Sequence, residues 1–112
     1  MESRLIFESN KTYQHKIRWN RIENADSEWK TFNSDKTMSV DKLISEVLAY
    51  LDSRLLHVSL GRHDSITTYN TSLKVIIEPL LYEQNFAIWD ETFMKVIEFN
   101  KIGVFRAGTK VT

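Results

Sequence analysis

The sequence contains no cysteine, and its 112 residues include only three glycines and one proline. Without cysteine, disulfide bonds and thiolate metal sites are excluded. The glycines, at positions 61, 103 and 108, are too far apart to form a phosphate-cradling GxGxxG or GxxxxGK loop. No apolar run approaches the roughly 20 residues of a membrane-spanning helix. The first residues, MESR, do not begin a signal peptide, so we expect a cytoplasmic protein without membrane contact.

The sequence also lacks an excess of either charge. Fifteen basic residues balance fifteen acidic ones, which gives a formal charge of zero. A protein that coats DNA gains most of its affinity by neutralising phosphates, so this balance argues against that class and leaves protein partners open. A length of 112 residues predicts one domain over 1–112. No HExxH or Ser/His/Asp pattern is present, and we expect no cofactor and no metal site.

The C-terminal part of the chain predicts a meander of three antiparallel strands. The expected strands are 86–89, 93–99 and 102–106, separated by polar turn residues. We expect Asn100 to take the left-handed backbone of a tight hairpin. Within the middle strand, Phe93, Ile97 and Phe99 fall on one face by alternation. A meander this apolar requires a cover from the earlier part of the chain.

The N-terminal part predicts further strands. Residues 4–8 form a short apolar alternation, and residues 13–22 alternate with Tyr13, Ile17 and Trp19 on one side. Residues 27–32, which include Trp29 and Phe32, are the expected second arm of a hairpin. The sequence therefore predicts an N-terminal hairpin that joins the same antiparallel sheet.

Two helices are expected to pack on this sheet. Ser39 is a suitable N-cap, Asp41 follows in the first turn, and apolar residues recur at spacings of three and four up to position 55. A second helix is expected at about 71–83, kinked or split by Pro79. Residues 56–70 form either a hairpin or part of that helix. The predicted fold class is α+β, with an antiparallel sheet packed against two helices.

Two histidines near a carboxylate form one candidate for chemistry. His57, His63 and Asp64, with His15 as a possible third imidazole, could serve as the acid and base of a metal-independent nuclease. No nucleophile or oxyanion motif lies nearby, and a metal would lack a third close ligand. We therefore favour the interpretation of two loop histidines beside a turn-forming aspartate.

Residues 11–21 hold four basic side chains and no acidic one, together with two aromatic rings. Cations and rings in one stretch are typical of a platform for single-stranded nucleic acid. In an extended strand, Tyr13 and Trp19 fall on the face opposite Lys16 and Arg18, which favours a structural strand. Binding of nucleic acid is therefore not expected.

Trp89 ends the first expected meander strand and is followed by acidic turn residues. If Trp89 is exposed, it could anchor a basic protein partner together with Asp90, Glu91 and Glu83. The alternative is a buried tryptophan beside a solvated turn. As further candidate partner contacts we name the turn residues Arg62, His63 and Asp64.

The segment 88–108, IWDETFMKVIEFNKIGVFRAG, resembles the end of small bacterial immunity proteins of contact-dependent growth inhibition and related polymorphic toxin systems. The preceding helix and the LLHVSLG segment are compatible with this resemblance, which extends over 39–108. It implies a cytoplasmic protein that binds one toxin domain, commonly a nuclease, and blocks its activity. It identifies no contact residues, because these differ between such pairs.

The expected function is therefore toxin neutralisation by a protein without enzymatic activity. The alternatives from other classes are a small metal-independent RNase that uses His57 and His63, and a module for single-stranded nucleic acid that uses Lys16, Arg18, Arg21 and Trp19.

Overall fold

The computed structural model describes residues 1–21, 27–32 and 39–111. Within these ranges, seven strands form a single antiparallel sheet and helices pack on it, so the predicted α+β class is confirmed. The helices are α1 (Ser3–Tyr13), α2 (Val40–Leu51) and α3 (Leu73–Ile77), with 3-10 turns at Gln14–Lys16, Asn70–Ser72 and Glu78–Leu80. The strands are β1 (Ile17–Trp19), β2 (Lys30–Thr31), β3 (Leu55–Ser59), β4 (Ile66–Tyr69), β5 (Phe86–Asp90), β6 (Lys95–Asn100) and β7 (Val104–Lys110).

The strand order is β1-β7-β6-β5-β3-β4, and β2 also pairs with β7. Strands β5, β6 and β7 form the predicted meander. The sequence leaves residues 56–70 open between a hairpin and part of a helix, and the structure has the β3–β4 hairpin there, from Leu55 to Tyr69. The predicted N-terminal hairpin is wrong, because β1 and β2 each pair with β7 and not with one another. At seven residues, β7 is long enough to pair with both along one side.

The prediction of a strand at residues 4–8 is also wrong, because these residues belong to α1. Tyr13, expected to open a strand, is the last residue of this helix. Ile6, Asn10 and Tyr13 are four and three residues apart, which places them on one side of the helix. Ile6 is fully buried, and the side chains of Asn10 and Tyr13 contact Trp89 of β5. Packing against the sheet therefore stabilises a helix here, although the five-residue alternation at 4–8 is typical of a strand.

Helix α2 follows its prediction closely at its start. The Ser39 side chain accepts a hydrogen bond from the backbone N–H of Lys42 at 3.2 Å, as an N-cap does. The helix ends before position 55, because Asp52 adopts the left-handed conformation with φ 45°. The predicted second helix is shorter than expected: α3 ends at Ile77, and Pro79 lies in a separate 3-10 turn.

Alternation along β5 gives the sheet two apolar faces. Phe86 and Ile88 join α2, α3 and Phe99 in the larger core, which we call the first face. Ala87 and Trp89 point the other way and pack with Phe93, Val96 and the rings of Tyr13 and Trp19, on what we call the second face. Helix α1 covers part of the second face, so helices lie on both sides of the sheet.

Two details of the meander differ from expectation. Phe93 is not in β6 but in the turn before it, at φ 58°, and its ring packs on the second face instead of beside Ile97. The left-handed residue of the β6–β7 turn is Gly103, at φ 105°, and not Asn100. Asn100 instead accepts the backbone N–H of Ile102 with its side-chain oxygen at 3.0 Å, and glycine takes the left-handed position without a Cβ penalty. Among the residues described, no helix has the length and apolar character needed to cross a membrane.

Candidate functional site

His57 lies within β3 on the second face and is 3% exposed. Its Nε2 is 3.0 Å from the backbone oxygen of Glu91, and its Nδ1 is 2.8 Å from the hydroxyl of Thr67. A carbonyl can only accept, so Nε2 carries the proton and the neutral ring accepts from Thr67 at Nδ1. The imidazole also stacks on Phe93 with centroids 4.6 Å apart.

This environment disfavours the charged imidazolium. Burial is the largest influence and lowers the pKa of His57 from 6.5, while the hydrogen bond to the Glu91 carbonyl opposes it. Both ring nitrogens are engaged within the protein, so neither is available to accept a proton from a substrate. His57 thus has the surroundings of a structural core histidine.

The other imidazoles do not join His57. His63 is exposed in the turn after β3, and His15 is exposed in the 3-10 turn after α1. Within the described ranges, no group of three or more His, Cys, Asp or Glu residues is placed to hold a metal ion.

The basic segment 11–21 does not form a single extended strand. Lys11 belongs to α1, Lys16 to a 3-10 turn and Arg18 to β1. The ring of Tyr13 contacts Trp89 and Phe93. The ring of Trp19 is covered on one side by the guanidinium of Arg106, whose central carbon lies 3.8 Å from the ring centroid. The Tyr13 ring and one side of the Trp19 ring are therefore in contact with protein and do not form an open stacking platform together.

Trp89 is fully buried. It is therefore not an exposed anchor for a partner but a core tryptophan beside a turn. Its indole Nε1 donates to the side-chain oxygen of Asn10 at 2.8 Å and thereby ties α1 to the sheet. The neighbouring Asp90 also has an internal role. Its carboxylate accepts the backbone N–H groups of Met94 and Lys95 at 2.7 and 3.0 Å, and so shapes the β5–β6 turn.

The other candidate partner contacts lie on the surface in separate places. Glu91 is exposed in the β5–β6 turn, and Glu83 is exposed three residues before β5 begins. Arg62, His63 and Asp64 are exposed in the β3–β4 turn. The register pairs Leu56 with both Thr68 and Asp90, so the two turns lie at opposite ends of β3. The predicted contacts therefore do not form one cluster, and their role in binding stays a prediction.

Strand β4 lies between these two turns at an outer edge of the sheet. Its sequence, ITTY, has no charge, and Ile66 and Tyr69 are 42% and 53% exposed. At the other edge, β1 and β2 carry the exposed cations Arg18 and Lys30. Charges on an edge strand discourage pairing with another chain, and β4 lacks this protection.

Register determines which backbone groups β4 presents. Asn70 N–H donates to the oxygen of Arg54 at 2.8 Å, so this pair is hydrogen-bonded, as is every second pair along the ladder. Consequently Ile66 and Thr68 bond to β3. The N–H and C=O groups of Thr67 and Tyr69 point away from the sheet, where they could bond to an added strand.

No pattern in the sequence directly indicates this edge. Residues 66–70 fit either a strand or a helix start, and strand order is not encoded locally. The uncharged ITTY segment after a Gly-containing turn was the available signal.

The comparisons with known proteins leave this geometry as the basis for assigning function. No protein-family model, no curated protein and no solved structure matches the chain.

Proposed function

We propose that this chain is a cytoplasmic immunity protein that binds one bacterial toxin domain, a nuclease by the resemblance of 88–108, and thereby blocks the toxin's activity. The observation that carries the proposal is the open, uncharged β4 edge with the exposed side chains of Ile66 and Tyr69. An extended segment of the toxin would pair with this edge, and neutralisation would follow from stoichiometric capture without turnover.

The chemistry of the edge supports this mode of binding. Thr67 and Tyr69 each present one outward N–H and one outward C=O, which an added strand can pair with. The Tyr69 oxygen also accepts from the Thr68 hydroxyl at 3.4 Å, and a carbonyl oxygen can accept a second bond. Main-chain bonds of this kind give affinity, and the side chains on either face of the strand give specificity. Ile66 and Tyr69 would contribute apolar contact, with the guanidinium of Arg54 lying 5.4 Å from the Tyr69 ring centroid.

The surroundings of β4 can enlarge the contact. A stable interface buries about 800 Å² on each partner, which is more than a four-residue strand provides. The β3–β4 turn with Arg62, His63 and Asp64 adjoins one end of β4. The turn containing Glu91 lies near the other end, two strands away. These exposed charges are suited to a polar rim around the paired strand.

The experiment uses two substitutions at Tyr69. Its φ of −74° suits proline, and its N–H points outward, so Tyr69→Pro preserves the fold while it removes one donor from the edge. Tyr69→Ala removes the same ring and keeps the donor. We expect wild-type protein co-expressed with the toxin domain encoded beside its gene to restore growth, and Tyr69→Pro to bind that domain at least tenfold more weakly than Tyr69→Ala.

Ile102→Lys is the matched surface control, because Ile102 is 72% exposed and lies in the β6–β7 turn, away from β4. It should bind the toxin as the wild type does. Growth that still stops in the presence of wild-type protein would contradict the proposed function. Equal binding by both Tyr69 variants would instead contradict only the use of the β4 edge.

A further inference from the structure

A polar cavity of about 270 Å³ opens on the second face, between the end of α1 and the sheet. The register places Ser59, Ala87 and Glu98 side by side on neighbouring strands, and these residues form its floor. Polar side chains dominate the lining: Asn10, Gln14, Ser59, Asn85, Glu98 and Asn100. The cavity lies on the side of β3 away from β4, so it is separate from the proposed toxin-binding edge.

Within the described residues, Ser59 presents an unpaired buried hydroxyl to this cavity. The residue is 3% exposed, and its hydroxyl has no hydrogen-bond partner among the described residues. A buried polar group without a partner is costly, and native proteins contain few of them. A molecule in the cavity that hydrogen-bonds to this hydroxyl would remove the cost.

The asparagine side chains present donors. Asn10 accepts with its side-chain oxygen from Trp89 Nε1 and from Gln14 Nε2, at 2.8 and 3.1 Å. Asn85 and Asn100 likewise accept backbone N–H groups, at 2.9 and 3.0 Å. Indole and backbone N–H groups can only donate, so these contacts fix which amide atom is oxygen. The three NH2 groups remain as donors along the cavity wall.

Acceptors are also present, but cations are not. Glu98 Oε1 accepts from Arg106, which leaves its second oxygen, and Gln14 has its side-chain oxygen. Neither lysine nor arginine lines the cavity in the part of the chain that is described, and its one charged group is a carboxylate. This arrangement disfavours phosphates and other anions.

Because Glu98 is already paired with Arg106, we consider uncharged ligands. Nucleobases and polyols both offer donors and acceptors, and the aromatic residues distinguish between these two classes. Nucleobases bind by stacking on open ring faces. The two phenylalanines at the cavity, Phe86 and Phe99, are 4% and 1% exposed and stack on each other with centroids 4.7 Å apart. A ligand rich in hydroxyl groups needs no ring face, and each hydroxyl both donates and accepts.

We propose that this cavity binds a small uncharged polyol of monosaccharide size. Its hydroxyl groups accept from the NH2 groups of Asn10, Asn85 and Asn100 and donate to Glu98, while one of them pairs with the hydroxyl of Ser59. A volume of about 270 Å³ suits a single sugar ring, because pockets for larger ligands run from about 300 to 1,000 Å³.

The test is saturation-transfer NMR of the full chain with D-glucose, D-galactose, D-mannose and myo-inositol, each at millimolar concentration. We expect transfer to at least one of the four. Ser59→Ala should weaken that binding about tenfold, as expected for one lost hydrogen bond. Because the hydroxyl has no protein partner, the variant should keep or raise the Tm of the unliganded protein.

Ser65→Ala is the matched control. Ser65 is also buried, but its hydroxyl accepts from Leu60 N–H and donates to the Gly61 oxygen, at 2.9 and 2.7 Å. This variant should lower the Tm and retain the polyol. No transfer to any of the four compounds would overturn the proposal, as would equal binding by Ser59→Ala. Binding of uracil or inorganic phosphate in place of a polyol would also overturn it.

Discussion

At the scale of single residues, His57 couples the stability of the fold to pH. Burial lowers its pKa in the folded state below 6.5, although the Glu91 carbonyl and the carboxylates of Asp90 and Glu91 oppose this shift. The unfolded chain therefore binds a proton at a higher pH than the folded protein does. The contribution of the neutral His57 to the free energy of unfolding is fully present above about pH 6.5. This contribution is lost as the pH falls below that value.

We predict that His57→Gln makes stability depend less on pH between about 7 and 5. A glutamine amide can donate to the Glu91 carbonyl and accept from Thr67, but it does not titrate. Urea unfolding at several pH values measures the change, with His63→Gln as the control that should keep the wild-type slope. If the free energy of unfolding depends on pH equally in wild type and His57→Gln, the burial of His57 does not couple stability to pH.

Arg106 illustrates a cluster that spacing alone does not reveal. Its guanidinium lies 3.8 and 4.4 Å from the ring centroids of Trp19 and Trp29. It is also paired with the carboxylates of Glu28 and Glu98. The side chain is 19% exposed, so these contacts are partly shielded from water.

Arg106→Lys should lower the free energy of unfolding by about 1–3 kcal/mol, although the charge is kept. An ammonium group cannot form the same fork to Glu98 or stack as a plane between two indoles, and the carboxylates lose donors. Urea denaturation measures the effect. Arg18→Lys, at an exposed position of β1, should stay within about 0.5 kcal/mol of wild type. An equally small change at position 106 would show that the planar contacts contribute little.

Local patterns could not predict whether Trp89 and His57 are buried. The sequence admitted an exposed or a buried Trp89, and the decision depends on α1, which was itself predicted as a strand at residues 4–8. Once α1 packs on the second face, Asn10 reaches Trp89. Side-chain burial here follows from contacts between residues 79 positions apart, which no local spacing contains.

At the scale of elements, the position of β1 depends on Gly108. A Cβ at this residue would lie 2.7 Å from Ile17 Cγ2 and 2.8 Å from the backbone oxygen of Arg18. Contacts below 3.0 Å require the neighbouring atoms to move, and a backbone oxygen of a paired strand moves only with the strand. Glycine at position 108 therefore permits the close pairing of β1 with β7.

Gly108→Ala should displace β1 from the sheet while β5, β6 and most of β7 remain paired. Amide hydrogen exchange measures this directly, because Asn20 N–H donates to Ala107 and Val111 N–H donates to Lys16, on either side of the contact. Both amides should exchange at least tenfold faster than in wild type. Thr109→Ala, at the exposed neighbouring position, is the control and should leave both rates unchanged. Unchanged exchange in Gly108→Ala would mean that β1 tolerates a side chain there.

The accuracy of the element predictions follows the length of each pattern. Helix α2 has a cap and several turns of consistent periodicity, and it was predicted with its correct start. The meander was predicted because its three strands are consecutive in the chain. The N-terminal hairpin was not correct, because the partner of β1 and β2 lies more than 70 residues later in the sequence, in β7.

At the scale of the whole molecule, the sheet joins two layers of side chains that share the same strands. Phe86 and Ile88 of β5 belong to the first face, whereas Ala87 and Trp89 belong to the second. Neither layer can lose its packing without exposing strands on which the other depends. The described part of the protein should therefore unfold in one cooperative step.

Substitutions in the two layers should have the same kind of effect. Leu51→Ala, on the first face, should lower the free energy of unfolding by about 2–5 kcal/mol, since Leu51 is 1% exposed. Val96→Ala, on the second face, removes a smaller fully buried side chain and should cost about 2 kcal/mol. In both variants, urea transitions followed by tryptophan fluorescence and by far-ultraviolet circular dichroism should coincide.

Val75→Ala is the control at a residue 79% exposed, where the change should remain within about 0.5 kcal/mol. If fluorescence of Val96→Ala changes at a lower urea concentration than the dichroism does, the second face and α1 unfold first, and the sheet does not couple the two layers.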